Sequence, residues 1–408
     1  MITNFEEAKS IYWDICDEES ALRYPYYYDE PCVIDSDQFD NLKKVQHLLF
    51  KSFKYFLPRY EQYDSIIEYS EKFKKIVTSF NLEETRIGFY RPDFVIPETG
   101  KIKICELGCR YYEAYWGHGI SEFIMEKRNK CSNQENNRSR IIDNVIDHAF
   151  EWWSGLEDSL VILKGRDREG DIRFYRPFFE KTGVTLHYIY PDTIADNLHL
   201  LEQRPVLNAF SQMEIEALTE NEIHAISKSD CLNPLPTVLL LHDKRFLAVL
   251  WDDEFRDSAL GKMDSSFLKE YLIPTYTRKQ SKDLWTYAQN NKDEFILKPQ
   301  LLGKSEGIIP GPLVSELEWK SAFNAESIKT MILQRWINQK EFNASIDGKN
   351  FLDYGTGMLL CMEDEFYGPG QFRMSSCEVI NYIKDDRKMA PWITDNANSY
   401  HGPYFTLD

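Results

Sequence analysis

Between residues 85 and 110 the chain changes its period. "TRIGFYRPDFVI" and "KIKICELGCR" are short runs rich in β-branched and aromatic residues, and "PETG" between them is a turn signal. A hairpin of this kind sets Asp93 and Glu106 on adjacent strands. Two facing carboxylates repel unless a cation lies between them. Magnesium takes one or two carboxylates and fills the rest of its shell with substrate phosphates and water. Arg91 is two residues from Asp93 and so shares its strand face, where it could offset charge on a transferring phosphoryl group or an acyl phosphate. The same residues, with Arg110, also read as a plain cross-strand salt bridge.

The bulk of the chain limits what such a hairpin can serve. With 408 residues, a large core and two or three domains are expected. Hydrophobic residues make up 43% and charged residues 28%, and the 24 Tyr, 25 Phe and 9 Trp suit a packed enzyme rather than a disordered scaffold. A net charge of −18 disfavours a nucleic-acid partner. The eight cysteines show no C-x2-C spacing, which argues against a zinc site and for a reducing compartment. "MITNFEEAKS" lacks a signal-peptide apolar run, and no stretch reaches the length of a membrane span, so a cytoplasmic protein without a membrane partner is expected.

The expected class is α+β, a mixed α/β chain in four regions. Residues 1–85 read as mainly helical, with Leu42, Val45, Leu48, Leu49 and Phe53 at helical spacing and Pro58 at a helix end. Residues 86–139 hold the hairpin and a loop containing His118 between two glycines. In 140–245, helices over 141–153 and 174–182 alternate with the strands "SLVILKG", "TLHYIY" and "TVLLLHD", which predicts a small parallel subdomain that helps to choose the substrate. In 246–408, helices interrupted by "IPTY" precede an antiparallel sheet with one helix over 315–324.

A second set of charges lies in "FILKPQLLGKSEGI". Lys298 closes an apolar run, and a strand-end lysine can reach phosphate oxygens as a point charge. Gly303 and Gly307 bracket a loop able to approach a polyphosphate through its N–H groups, and Glu306 could hold a bridging magnesium ion. The G-x4-G-K-[ST] order of a P-loop is missing, and an exposed hairpin remains the plainer reading. In "TMILQRWINQKEF", Trp336 and Ile337 could give backbone groups and an apolar wall to an adenine edge, with Glu341 accepting from ribose hydroxyls. A buried edge strand would look the same.

In order along the chain, "RPDF", "ELG", "DKRFLAVLW" and "LKPQLLGKSEG" resemble the ATP-grasp ligases in the permuted arrangement of glutathionylspermidine synthase and eukaryotic-type glutathione synthetase. The resemblance covers roughly residues 85–385 and rests on the order of four short motifs. It implies an ATP-grasp fold with an antiparallel-sheet lid, ATP and Mg2+ as cofactors, and an amide or peptide bond made through an acyl phosphate. Lys244 and Lys298 would contact phosphates, Gly303, Lys304 and Gly307 would cover them, and Gln334, Trp336, Ile337 and Glu341 would form the adenine and ribose edge. Asp93, Glu106 and Glu306 would hold magnesium, with Arg91 and Arg373 beside the transferred phosphoryl group. The implied partners are a small, peptide or carrier-bound carboxylate and an amine. One departure is Gly108, where the family has an asparagine metal ligand. It motivates one rival, a nucleotide-binding or interaction protein that has lost catalysis; a phosphotransferase on the same scaffold, with water or a hydroxyl in place of the amine, is another. Neither the substrates nor the oligomeric state follow from the sequence.

Overall fold

The computed structural model describes residues 5–110, 114–127, 159–165, 179, 183–201, 204–303, 305–383, 387–394 and 404–407. It is a mixed α/β chain with several sheets. Residues 5–85 are mainly helical, with one short strand among them. The helix Ser36–Phe56 begins at Asp35, whose carboxylate accepts from the Gln38 N–H while Gln38 reaches back to the Asp35 N–H, a full capping box. Its Leu42, Val45, Leu48, Leu49 and Phe53 are all buried. Phe53 and Phe56 pack on Phe246, and Phe56 also meets Phe255, so this helix is fixed against the helices that follow Lys244. Pro58 stands in the first turn of the 3-10 segment Leu57–Tyr63, where its missing N–H leaves no bond unmade.

A seven-stranded sheet occupies the middle. Its long strand Lys349–Met362 pairs antiparallel with the hairpin strand Phe89–Val95, which pairs in turn with Lys103–Gly108. Gly357 lies opposite Phe94, and a Cβ at that position would collide with the Phe94 ring, so only glycine lets the two strands close there. A four-stranded antiparallel sheet in the order Ile309–Pro310, Phe295–Pro299, Met331–Arg335, Thr275–Tyr276 carries Lys298. It packs on its own apolar cluster around Trp285, Trp319, Leu297 and Leu333. A parallel four-stranded sheet, Thr185–Ile189, Ser159–Leu163, Val206–Asn208, Cys231–Leu232, forms the third unit.

Several expectations change. "TVLLLHD" is not a strand: Leu235–Leu241 is a fully buried helix entered through Pro234 and Pro236. A continuous apolar run carries no period, so strand and buried helix cannot be told apart from it. The parallel sheet takes Val206–Asn208 and Cys231–Leu232 instead. His118 lies within the helix Ala114–Lys127, not in a loop. "GIIPGPLV" supplies only the two-residue strand Ile309–Pro310 before a 3-10 turn. Cys32–Ile34, inside the region read as helical, is a strand that pairs parallel with Pro391–Ile393. The expected helix over 141–153, and most of that over 174–182, lies outside the described residues. Among the described residues no helix is long and apolar enough to cross a membrane, and seven cysteines are free thiols.

Candidate active site

The hairpin register sets Asp93 directly opposite Glu106. A bulge follows: Phe94 pairs with Ile104, which leaves Cys105 as the extra residue. Strict alternation would send Cys105 and Glu106 to opposite faces. With the bulge both line one cavity of about 650 Å³. Arg91, Asp93 and Gly108 line it from the hairpin, Ile296 and Lys298 from the lysine strand, and Leu302, Gly303, Ser305 and Glu306 from the loop beyond. Gln334, Trp336 and Ile337 line it on the side of the lysine strand, and Thr356 and Arg373 on the side of the hairpin.

The charges inside are strongly paired. Arg91 grips Asp93 through two hydrogen bonds, Nε to Oδ1 at 2.6 Å and Nη2 to Oδ2 at 2.9 Å. Arg373 adds Nη2 to the same Oδ2 at 2.7 Å. Asp93 is buried, so two guanidiniums offset the loss of its hydration. Lys244, also buried, lies 3.0 Å from Glu106 Oε1 and donates to the Leu302 carbonyl at 2.6 Å. Lys298 donates to the Cys105 carbonyl at 3.2 Å. Burial alone would raise the Glu106 pKa, but Lys244, Lys298 and His242 together outweigh it and hold the carboxyl at about 2.

Ten of the fourteen residues singled out from the sequence therefore share this cavity. Lys244 stands behind Glu106 rather than in the lining, bridging the carboxylate to the loop. Gly307 shapes the loop at φ +68° without lining the cavity. Glu341 is exposed on another strand, where it accepts from the Tyr354 hydroxyl at 2.9 Å, outside the cavity lining. An edge strand that begins after the turn at 338–340 carries it away from Trp336. Lys304 lies outside the described residues.

At 336–337 the two backbone N–H groups differ. The Trp336 N–H is taken by the Glu294 carbonyl at 2.8 Å, whereas the Ile337 N–H has no hydrogen-bond partner among the described residues. Buried side-chain atoms are unpartnered in the cavity wall as well, among them Gln212 Nε2, Gln339 Oε1 and Arg373 Nε. Buried polar atoms without partners point to a ligand or water that would complete them. For a metal the donor set is narrow. Among the described residues no three His, Cys, Asp or Glu side chains gather to hold an ion. Two opposed carboxylates are still enough for magnesium when phosphates supply the other oxygens, so Asp93 and Glu106 fit it in that manner.

Sequence reading missed other lining groups. His242 lines the cavity, and its Nδ1 accepts from the Cys109 N–H at 3.0 Å. Ser211 to Glu214, at the start of a short helix that follows the strand Val206–Asn208 of the parallel sheet, line it from that side. Gln339 donates to the Glu378 carbonyl at 2.7 Å and so joins its own segment to the C-terminal wall. None carries a motif; only tertiary placement brings them here.

Comparison with known proteins adds the following. A family model described as the AnkG N-terminal domain matches residues 51–240, somewhat less than half of the chain and short of the Lys244 and Lys298 segments. No curated protein matches. Among solved structures, a glutathione synthetase-like effector (GSS30) from Globodera pallida, in its apo form, is similar at a TM-score of 0.58 and 10% identity, over 94% of this chain and 96% of that one. The chain thus shares its fold. A protein of Methylobacillus flagellatus KT, provisionally described as a gamma-glutamylcysteine synthetase, covers 84% of this chain and 86% of its own at 10% identity, but its TM-score of 0.40 carries no argument.

Proposed function

We propose that this chain is an ATP-dependent carboxylate–amine ligase of the ATP-grasp type. The observation that carries the reading is the convergence of Asp93, Glu106, Lys298, Arg91, Arg373 and the loop through Gly303 on one cavity. That volume, about 650 Å³, is within the range of small-molecule sites. The fold shared with a glutathione synthetase-like protein agrees with it.

A carboxylate is a poor electrophile, and phosphorylation gives it a leaving group that an amine can then displace. The chain's contribution is positioning and charge. Trp336 and Ile337 orient the base through backbone groups. Lys298 and Arg373 would offset charge on anionic oxygens, while Arg91 holds the Asp93 carboxylate in place. Asp93 and Glu106 would hold magnesium, which neutralises phosphate charge when bound. The loop 301–308 excludes water from the acyl phosphate, and Ser305 anchors it to the Ile380 carbonyl. The test is ADP release on pooled acids and amines, with the amide identified by mass. Lys298→Ala should lower turnover roughly 100-fold or more. ADP release that is unchanged in this variant, or that yields no amide, overturns the ligase reading.

A second reading has its own support. Gly108 replaces a metal-binding asparagine of the resembling family, and Asp93 is already held by two arginines. The relative of shared fold is described as an effector. A protein that binds nucleotide without turnover would show saturable ATP binding and no ADP release.

A further inference from the structure

We propose that the chain carries a second, distinct anion site, suited to a small phosphorylated molecule, in the basic cavity where the helix Lys282–Asn290 begins. This cavity measures about 890 Å³. Five cationic side chains line it, Arg245, Arg278, Lys279, Lys282 and Lys329, against the single carboxylate of Glu68. In a chain of net charge −18 such a concentration is anomalous.

Two of the five are already balanced. Arg245 is bound to Asp243, Nε to Oδ2 at 3.0 Å and Nη2 to Oδ2 at 2.6 Å, and Lys329 is paired with Glu326. The side chains of Arg278, Lys279 and Lys282 have no ion pair or hydrogen bond among the described residues. Lys279 also lines a neighbouring cavity with Asp252 and Glu254, so Arg278 and Lys282 form the stronger pair.

Neutral donors point to the same kind of ligand. Ser281 places no side-chain cap on the helix Lys282–Asn290, so its first-turn N–H groups lack an acceptor from that residue. Trp285, 4% exposed, lines the cavity, and its indole N–H is buried with no partner. An indole N–H is a donor only. Unpaired cations, helix amides and a buried indole all seek one thing, an acceptor-rich anion. A phosphate group offers several oxygens at once.

The site also shares backbone with the candidate active site. Arg245 lines the basic cavity, while its neighbour Lys244 holds Glu106. Gln300 lines the basic cavity too, its carbonyl accepts from the Lys244 N–H at 3.1 Å, and Leu301 and Leu302 after it line the other cavity. The two cavities thus share one turn, and any coupling between them must be reciprocal.

The test uses inorganic pyrophosphate as the probe on the full chain, followed by calorimetry. The native chain should bind it. Arg278→Ala with Lys282→Ala should weaken that binding roughly tenfold or more, since charge-assisted hydrogen bonds are lost. The other cavity also presents phosphate-binding groups to the probe, so Lys298→Ala should remove at most that component and leave the component lost in the double variant within about twofold. On the native chain, pyrophosphate should also slow acetylation of Lys282, read by mass spectrometry, which decides the matter if the double variant does not fold. Absence of binding, unchanged affinity in a folded double variant, loss of all binding in Lys298→Ala, or unprotected Lys282 would each overturn the proposal. None of these readouts depends on ligase turnover.

Discussion

At the scale of the residue, Glu106 shows how one carboxylate ties stability to the site. Its partner Lys244 has a side chain 2% exposed, whereas Glu106 is 28% exposed. Removing the carboxylate leaves a buried ammonium with only the Leu302 carbonyl. Glu106→Gln should therefore cost about 2 kcal/mol at neutral pH, below the full penalty for a broken buried pair because water reaches Glu106. The pH dependence follows from the direction of the shift. The folded carboxyl titrates at about 2, below its ordinary 4.5, so its contribution is complete above 4.5 and is lost as pH falls through 2. Urea denaturation should give a constant difference between the two proteins from neutrality to about pH 5, shrinking below that. A difference that persisted undiminished at the acid end would mean that the Lys244 pair is not its source. The carboxylates were legible in the sequence because the alternation and the turn place them. The arginine grip on Asp93 was legible only in part: Arg91 shares its strand face, but Arg373 comes from a strand 280 residues away.

At the scale of the element, the joints between sheets matter more than the strands. Asn233, at φ +59°, follows the last strand of the parallel sheet and fastens it to the hairpin. Its amide nitrogen donates to the carbonyls of Phe89, Ile87 and Cys109 at 2.7, 3.2 and 3.2 Å, and its oxygen accepts from the Phe89 N–H at 3.1 Å. All four partners are backbone atoms that would lose this bond together. Asn233→Ala should destabilise the fold by roughly 3 kcal/mol, visible as a lower urea midpoint. Unchanged stability would show that the two units are not joined there. Nothing in "CLNPLP" announces this role, because the partners lie far along the chain. The hairpin was readable, since its pattern and turn are local. The helix Leu235–Leu241 was not, because a seven-residue apolar run buried on every side has no face to reveal. The short parallel pair Cys32–Ile34 with Pro391–Ile393 was equally hidden, three residues being too few to show alternation.

At the scale of the whole molecule, charge acts in two opposed ranges. The chain as a whole carries −18, yet the basic cavity sets five cations against one carboxylate, and the candidate active site sets Arg91, Arg110, Lys298, Arg335 and Arg373 against five carboxylates. A nucleotide or phosphate arriving from solution first meets a repelling field and only later the arginines and lysines that hold it. The two effects respond differently to salt. At about 0.01 M the Debye length is about 30 Å and the outer field reaches well into solution; at about 0.1 M it contracts to about 10 Å. Contacts between charges inside a cleft are screened much less. Raising salt over this interval should therefore speed association of ATP, the reverse of the usual steering of anions toward basic proteins, and should raise the dissociation rate only modestly. Stopped-flow measurement with a fluorescent ATP analogue resolves the two rates. An association rate that falls with salt would place the controlling field in the local cation cluster instead, and would mean that the acidic exterior has no bearing on how ligands reach the site.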